Sequence, residues 1–312
     1  MFPLSSLTTF KDDATMNQRL ILNLSLAVVI IVLALLVIFE PGKDKAPELP
    51  KLTSLAEDKI QHVTIERVGR DTLVFDKQAD GWRITQPLQL RANEFRVTGV
   101  AHAAQTPSHA RFLQAGRDLK QYQLDAPKIK LTLDGQLIEF GGVNPLDNRR
   151  YVRVGDTIHL VADDIFLRAN GDAAGFVSTA LVPEHAQEIS EIKLPQMTVQ
   201  KDKDSGKWTV TPPVANLSTD DIVKFVDEWR HAQALQVSAY NGTPTDERVT
   251  LSFSGTTPPL LFDLMSKKDD LILGRKDAGV MYQFTSEIRQ RMFTLKSASD
   301  NSAATPQQPV IP

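Results

Sequence analysis

Two segments share one pattern: Trp82-Arg83-Ile84-Thr85-Gln86-Pro87 and Trp208-Thr209-Val210-Thr211-Pro212-Pro213 each carry a tryptophan, strict alternation and a closing proline. Alternation at period two puts Trp82 and Ile84, or Trp208 and Val210, on one face of a half-buried strand. Upstream of each lies a strand-like stretch followed by a polar turn. These are Leu73-Val74-Phe75 before Lys77-Gln78-Ala79-Asp80-Gly81, and Thr198-Val199 before Lys201-Asp202-Lys203-Asp204-Ser205-Gly206-Lys207. Both read as hairpins that close on the tryptophan strand.

Downstream of each comes a helix. Asn93, Phe95, Val97 and Val100 to Ala104 mark the first, and Ser218 to Ala232 the second. In the second, Ser218 or Thr219 can cap, Asp220 and Asp221 favour the positive end of the dipole, and Ile222, Phe225, Val226 and Trp229 form a stripe at i, i+3, i+4, i+7. Such a stripe lays a helix on a sheet. The correspondence continues with Ile129-Lys130-Leu131-Thr132-Leu133-Asp134-Gly135 against Val249-Thr250-Leu251-Ser252-Phe253-Ser254-Gly255, then Leu137-Ile138-Glu139-Phe140 against Leu260-Leu261-Phe262-Asp263-Leu264. Ile158 to Leu167 and Met281 to Gln290 each run a strand into a short helix opened by acids.

Hairpin, tryptophan strand, helix and a meander of about four strands thus follow one another twice. Chance similarity between two β-rich stretches is the competing reading, and the coincident order of six elements argues against it. The spacing is too long for a solenoid and fits tandem domains, repeat 1 over 56–182 and repeat 2 over 183–295. Short turns between strands and few helices predict antiparallel sheets and the α+β class.

Ahead of these domains runs LILNLSLAVVIIVLALLVIF, Leu20 to Phe39, without a charge. At about 1.5 Å per residue the run spans roughly 30 Å, the thickness of a hydrocarbon core. It exceeds a secretory h-region and exits into Phe39-Glu40-Pro41-Gly42 with no small-x-small pair, so an uncleaved transmembrane helix in contact with the lipid bilayer is expected. Lys11 and Arg19 precede it and Lys43, Lys45 and Lys51 follow, so counting basic residues leaves orientation open. Arg19 abuts the run, and Met16-Asn17-Gln18-Arg19 reads as a translation start; both favour a short cytoplasmic tail (residues 1–19) and a periplasmic C-terminal part. Three prolines over 40–55 read as a linker, and 296–312 lack apolar mass and read as a disordered tail.

Composition excludes several chemistries. The chain has no cysteine, hence no disulfide scaffold, thiol catalysis or thiolate-held zinc; this suits a bacterial periplasm and equally a cytosol. A net charge of -3 and a pI near 6.1 give no electrostatic case for nucleic acid. No phosphate loop, nucleophile elbow or zinc-binding helix motif is present. The six histidines are scattered, and only His102 and His109 fall within ten positions, across Pro107. Ser190-Glu191-Ile192-Lys193 fits S-x-x-K, which needs a helical turn, whereas Ile189, Glu191, Ile192 and Leu194 suggest a strand. The acid pairs Asp163-Asp164 and Asp220-Asp221 open helices and Asp269-Asp270 sits beside two lysines, so capping and solvation account for them. Asn216-Leu217-Ser218 and Asn241-Gly242-Thr243 fit a glycosylation sequon that matters only in a eukaryotic secretory setting. Catalytic residues, cofactors and metal ligands are therefore expected to be absent.

One basic patch stands out. Arg149, Tyr151 and Arg153 would share one face of a strand and Arg150 the other, following Gly141-Gly142-Val143-Asn144-Pro145-Leu146-Asp147-Asn148. Asn144, Asp147, Arg149, Tyr151 and Arg153 are the candidate contact residues for an anionic partner; a solvated strand face is the plainer reading.

Leu119 to Gly135, with Tyr122-Gln123-Leu124-Asp125-Ala126-Pro127 at its centre, followed by Phe140-Gly141-Gly142 and Arg150-Tyr151-Val152-Arg153, resembles a bacterial membrane-anchored family built on a domain of unknown function. Its core reads Y-G-L-D-x-P … L-x-L-x-D-G … I-G … Y-V-R. Gln123 stands where the family shows glycine. The resemblance implies an envelope protein of the inner membrane, an accessory of a transporter or other membrane complex, since some members accompany auxiliary components of gliding-type ABC transporters. It supplies no catalytic residues. The expected role is a non-catalytic binding or scaffold module, with a dispersed-site envelope hydrolase and a structural spacer as the alternatives.

Overall fold

A computed structural model describes residues 13–39, 48–242, 245–265 and 270–295. The chain divides into two compact units, the first ending at Leu49 and the second beginning at Pro50. Residues 1–12, linker residues 40–47, Thr243 of the second sequon, Lys267-Lys268-Asp269 and the tail 296–312 lie outside the described residues.

The first unit holds helix α1, Asp13–Phe39. From Leu20 to Val37 its mean hydropathy is 3.1 and none of it is buried in the protein. The helix is long and apolar enough to cross a membrane, as an anchor or a signal sequence. Ser25 inside it donates its hydroxyl hydrogen to the Leu22 carbonyl at 2.8 Å, which satisfies that polar group without water.

The second unit begins with Lys51 bridged to Pro107 and Leu52 buried, so packed chain starts within the stretch expected to be linker. Its first sheet comprises β1 (His62–Arg67), β2 (Leu73–Gln78), β3 (Gly81–Gln86), β4 (Leu90–Arg91), β5 (Ala110–Leu113), β6 (Ile129–Leu133), β7 (Gln136–Val143), β8 (Arg150–Val154) and β9 (Thr157–Val161), with helices α2 (Glu94–Ala101) and α3 (Asp164–Ala169). The antiparallel order is β4-β3-β2-β1-β6-β7-β8-β9-β5. The second sheet comprises β10 (Ile189–Lys193), β11 (Thr198–Lys201), β12 (Trp208–Thr211), β13 (Gln236–Ala239), β14 (Arg248–Phe253), β15 (Leu260–Leu264), β16 (Leu271–Arg275) and β17 (Val280–Phe284), with α4 (Thr219–Arg230) and α5 (Ser286–Phe293). Its order is β12-β11-β10-β14-β15-β16-β17-β13. With β4 set aside, each strand of one sheet has a counterpart at the same place in the other. The peptide bonds Gln86–Pro87 and Thr211–Pro212 are both cis.

Local chemistry explains the helices. Asn93 caps α2 by accepting from the Arg96 amide at 3.2 Å. Ser218 and Asp221 cap α4 reciprocally, the Ser218 hydroxyl taking the Asp221 amide at 3.2 Å and the Asp221 carboxylate taking the Ser218 amide at 3.0 Å. The apolar stripe of α4 packs inward, and Trp229 donates its indole hydrogen to the Met292 carbonyl at 2.8 Å. Each large side chain so enclosed contributes about 1.5–3 kcal/mol of apolar burial. Between the sheets, Phe176 to Leu181 is bonded to the end of β4 and the cap of α2 and to the connection between α4 and β13. It bonds to Asn93 and Arg91 on one side (2.7 and 2.9 Å) and to Ala232 and Ala234 on the other (3.0 and 2.8 Å).

The short strands β5 and β13 have no counterpart in the sequence reading. Each leaves its helix and closes the far edge of its sheet beside β9 or β17. Four residues with little apolar alternation give too weak a signal to be seen. Ser190 lies on β10, at a register shift between Ile189 and Glu191, in a strand and not in the helical turn that S-x-x-K requires.

Candidate functional site

The sequence candidates fall on the β7–β8 turn and on the face of the first sheet turned away from the core. The turn braces itself. Asn144 donates its amide to the Arg149 carbonyl at 2.7 Å, and its side-chain oxygen accepts the Leu146 amide at 3.1 Å. Asn148 donates to the Asn144 carbonyl at 2.9 Å and takes φ 56°, a conformation asparagine tolerates. Asp147 accepts both the Arg149 amide (3.2 Å) and its guanidinium (3.1 Å). Several polar groups of the turn bond within it, and its tip presents an apolar side chain: Leu146 is 92% exposed, with exposed Val143 three residues before it.

Tyr151 and Arg153 leave the turn and enter a network across the outer face. Tyr151 meets Tyr122 edge-on at 4.9 Å between ring centres, Tyr122 packs on Phe112 at 5.5 Å, and Arg117 lies over Phe112 at 4.4 Å. Burial, then Tyr122 and Asp147, push the Tyr151 hydroxyl above its ordinary range. These rings, with buried Leu124, Ile158 and Leu160, seal a small apolar layer outside the main core. Arg153 donates to Glu139 at 2.6 Å and to Gln114 at 3.2 Å. Register sets Glu66 opposite Lys130, Lys130 opposite Glu139 and Glu139 opposite Arg153, a row of alternating charge over four strands.

Arg150 points to the other side, as alternation predicts. It pairs with Asp163, donates to the Gly141 carbonyl and lies 3.6 Å from the Phe166 ring centre. The expectation that Asp163 acts as a helix cap is corrected: its side chain makes no capping bond, because a nearly buried guanidinium competes for it. Asp164 pairs with Arg168 at 3.6 Å, and Asp270 accepts from Gln283 at 3.1 Å.

The motif residues Tyr122 to Pro127 and Gly141-Gly142 meet in space. A short 3-10 turn, Leu119–Tyr122, ends at Gln123 with φ 54°, the left-handed conformation in which glycine is least strained. The turn rests on β7, where a Cβ at Gly141 would lie 2.3 Å from the Tyr122 carbonyl oxygen. Only glycine permits that approach. Sequence reasoning missed Phe112 on β5 and Gln114 and Arg117 after it, which no local pattern marks.

A second constellation was also missed. His62 Nδ1 lies 2.6 Å from Asp76 Oδ1, Thr85 donates to the other Asp76 oxygen at 2.9 Å, and His62 Nε2 lies 3.2 Å from the Thr64 hydroxyl. The carboxylate of Asp76 thus lies between the imidazole of His62 and the hydroxyl of Thr85, with the Thr64 hydroxyl on the far side of the ring. This order resembles a hydrolytic relay, but acyl transfer also needs donors aimed at the developing oxyanion. β1 lies between β2 and β6 and its backbone hydrogen bonds run in the sheet plane, not outward. Two other histidines have partners elsewhere: His102 with Glu57 at 2.8 Å and buried His159 with Ser108 at 2.9 Å, its basicity lowered by burial and by Arg111. Among the described residues no three His, Asp or Glu side chains are grouped to hold a metal ion.

The molecule is thus an α+β protein of two antiparallel sheets with an apolar N-terminal helix of membrane-crossing length. The chain belongs to the family described as Domain of unknown function (DUF4340), whose model matches residues 82–249, from β3 to the start of β14. No curated protein matches the chain, and no solved structure does.

Proposed function

We propose that this chain is a membrane-anchored, non-catalytic binding module that holds a protein partner through the β7–β8 turn. The carrying observation is Leu146, fully presented on a turn braced by its own hydrogen bonds. A rigid apolar tip loses little conformational freedom on contact, the property of an interface anchor. Arg149 beside it adds a rim charge that favours an acidic surface. The length and apolarity of Leu20 to Val37 support an anchor, and the family resemblance supports a bacterial inner-membrane setting with the C-terminal unit periplasmic, in the service of an envelope complex such as an ABC transporter.

We also read 56–182 and 183–295 as two copies of one module. Support comes from the matching strand order and from side chains at matching places. Lys77 and Lys201 each lie 5.9 Å from the ring centre of the opposed tryptophan. Glu139 on β7 and Asp263 on β15 are both buried on the outer face, each opposite a basic residue, Lys130 or Arg248.

Crosslinking followed by pull-down from detergent-solubilised membranes tests the binding role. The wild-type chain should recover a partner that Leu146→Asp loses while its unfolding transition stays put; equal recovery by both would refute the turn as the anchor. An alkaline phosphatase fusion after Leu295 should be active, and an inactive one would reverse the orientation.

A further inference from the structure

The two tryptophan strands differ at their outer edges. On β3, β4 supplies a further strand, with Arg83 opposite Arg91, Ile84 opposite Leu90, and the Ala92 amide donating to the Trp82 carbonyl at 2.8 Å. The second sheet stops at β12. The chain after it has the same length up to the helix cap, Pro212 to Ser218 against Pro87 to Asn93, but Asn216 takes φ 59° and turns it into α4. Among the described residues, no strand therefore covers the outer edge of β12.

The register tells which groups are left open. Asp202 donates to the Lys207 carbonyl at 2.8 Å, a hydrogen-bonded pair, and the next pair is Lys201 with Trp208. Antiparallel alternation then aims the amide and carbonyl of Trp208 and of Val210 outward. Their side chains are left half-buried too, whereas Trp82 and Ile84, beside β4, are sealed. Next to them lies a cavity of about 350 Å³ bounded by Trp208, Val223, Val226 and Lys201.

We propose that β12 pairs with β12 of a second copy of this chain, antiparallel and two-fold about Thr209. In that register Trp208 faces Val210 of the second copy and Val210 faces its Trp208, so the four outward groups of each copy close four hydrogen bonds with those of the other. The apolar place that Leu90 fills opposite Ile84 is taken by the tryptophan of the second copy. Lys207 falls opposite Thr211, so like charges do not meet. Natural edges are commonly guarded by charge, as β4 is by Arg91 and β5 by Arg111, while Trp208-Thr209-Val210-Thr211 carries none. This surface is separate from the β7–β8 turn, and its test does not depend on that reading.

The chain has no cysteine, which makes a single introduced one informative. Thr209→Cys in the full chain, in membranes and in detergent, would sit at a non-hydrogen-bonded pair with Cα atoms about 4.5 Å apart, within disulfide reach. Mild oxidation should give a disulfide-linked dimer on a non-reducing gel, and Lys203→Cys at the hairpin tip should stay monomeric. Adding Val210→Pro to Thr209→Cys removes one outward amide and no bond inside the sheet; it should cut the dimer at least about tenfold. A folded Thr209→Cys protein that stays monomeric overturns the proposal, as does a crosslink to a different protein.

Discussion

The carbonyl oxygen of Tyr122 sits where a side chain on Gly141 would have to be, 2.3 Å from the position of its Cβ. This contact, between a turn and a strand distant in sequence, explains why a glycine interrupts the apolar run of β7. Gly141→Ala must move backbone and should cost about 2–3 kcal/mol, read as a lower denaturation midpoint with an unchanged slope. Gly142→Ala meets only the Gln123 side chain at 2.9 Å and should cost clearly less.

Gln123 holds a left-handed backbone with an L side chain. Gln123→Gly should raise stability by about 0.5–1 kcal/mol, since relief of the Cβ strain outweighs the extra freedom glycine gives the unfolded chain. A fall in the denaturation midpoint would mean that packing of Gln123 on Gly142 matters more.

Glu139 and Arg153 are 9% and 22% exposed at their side chains. Arg153→Met leaves a buried carboxylate with one partner fewer and should destabilise by about 2–3 kcal/mol. Glu139→Gln in the same background should recover a good part of that loss. A double-mutant cycle measures the coupling, and additive effects would show the pair to be incidental.

Burial and Arg111 lower the basicity of His159, so the folded state binds its proton less readily than the unfolded chain. Stability should be flat above the ordinary histidine pKa of about 6.5 and should fall as the pH drops through it toward the lower folded value. His159→Asn should flatten that limb in denaturation curves taken between pH 7.5 and 5.

Trp82 is 4% exposed, whereas Trp208 is half-open. Trp82→Ala should cost about 3–5 kcal/mol and Trp208→Ala roughly half as much. Equal losses in a dimeric preparation would place Trp208 in a buried setting, as the β12 pairing requires.

Much of this fold was legible in the chain because its signals are local. The Ser218 cap, the α4 stripe and the alternation of β3, β6, β12 and β14 depend on neighbours within a few residues. The candidate site was legible only in part. Alternation alone separated Arg150 from Arg149, Tyr151 and Arg153. It could not show that Arg153 meets Glu139, that Tyr151 meets Tyr122, or that Asp163 serves Arg150 and not its own helix. Those partners are brought together by register between strands and by a loop folding over the sheet.

Local patterns along the chain specify an apolar helix of membrane-crossing length, the α+β class and the order of the longer elements, because helix and strand periods and hydrophobic length are written residue by residue. Which polar groups are consumed and which remain is settled by contacts between distant segments. Those contacts close Arg153 on Glu139, leave Leu146 presented on a braced turn and, among the described residues, cover the edge of β3 while leaving that of β12 open. The physical reason is that pairing and burial belong to residues far apart in the chain, and two stretches of equal length can satisfy local rules equally while one lies along a strand and the other turns away.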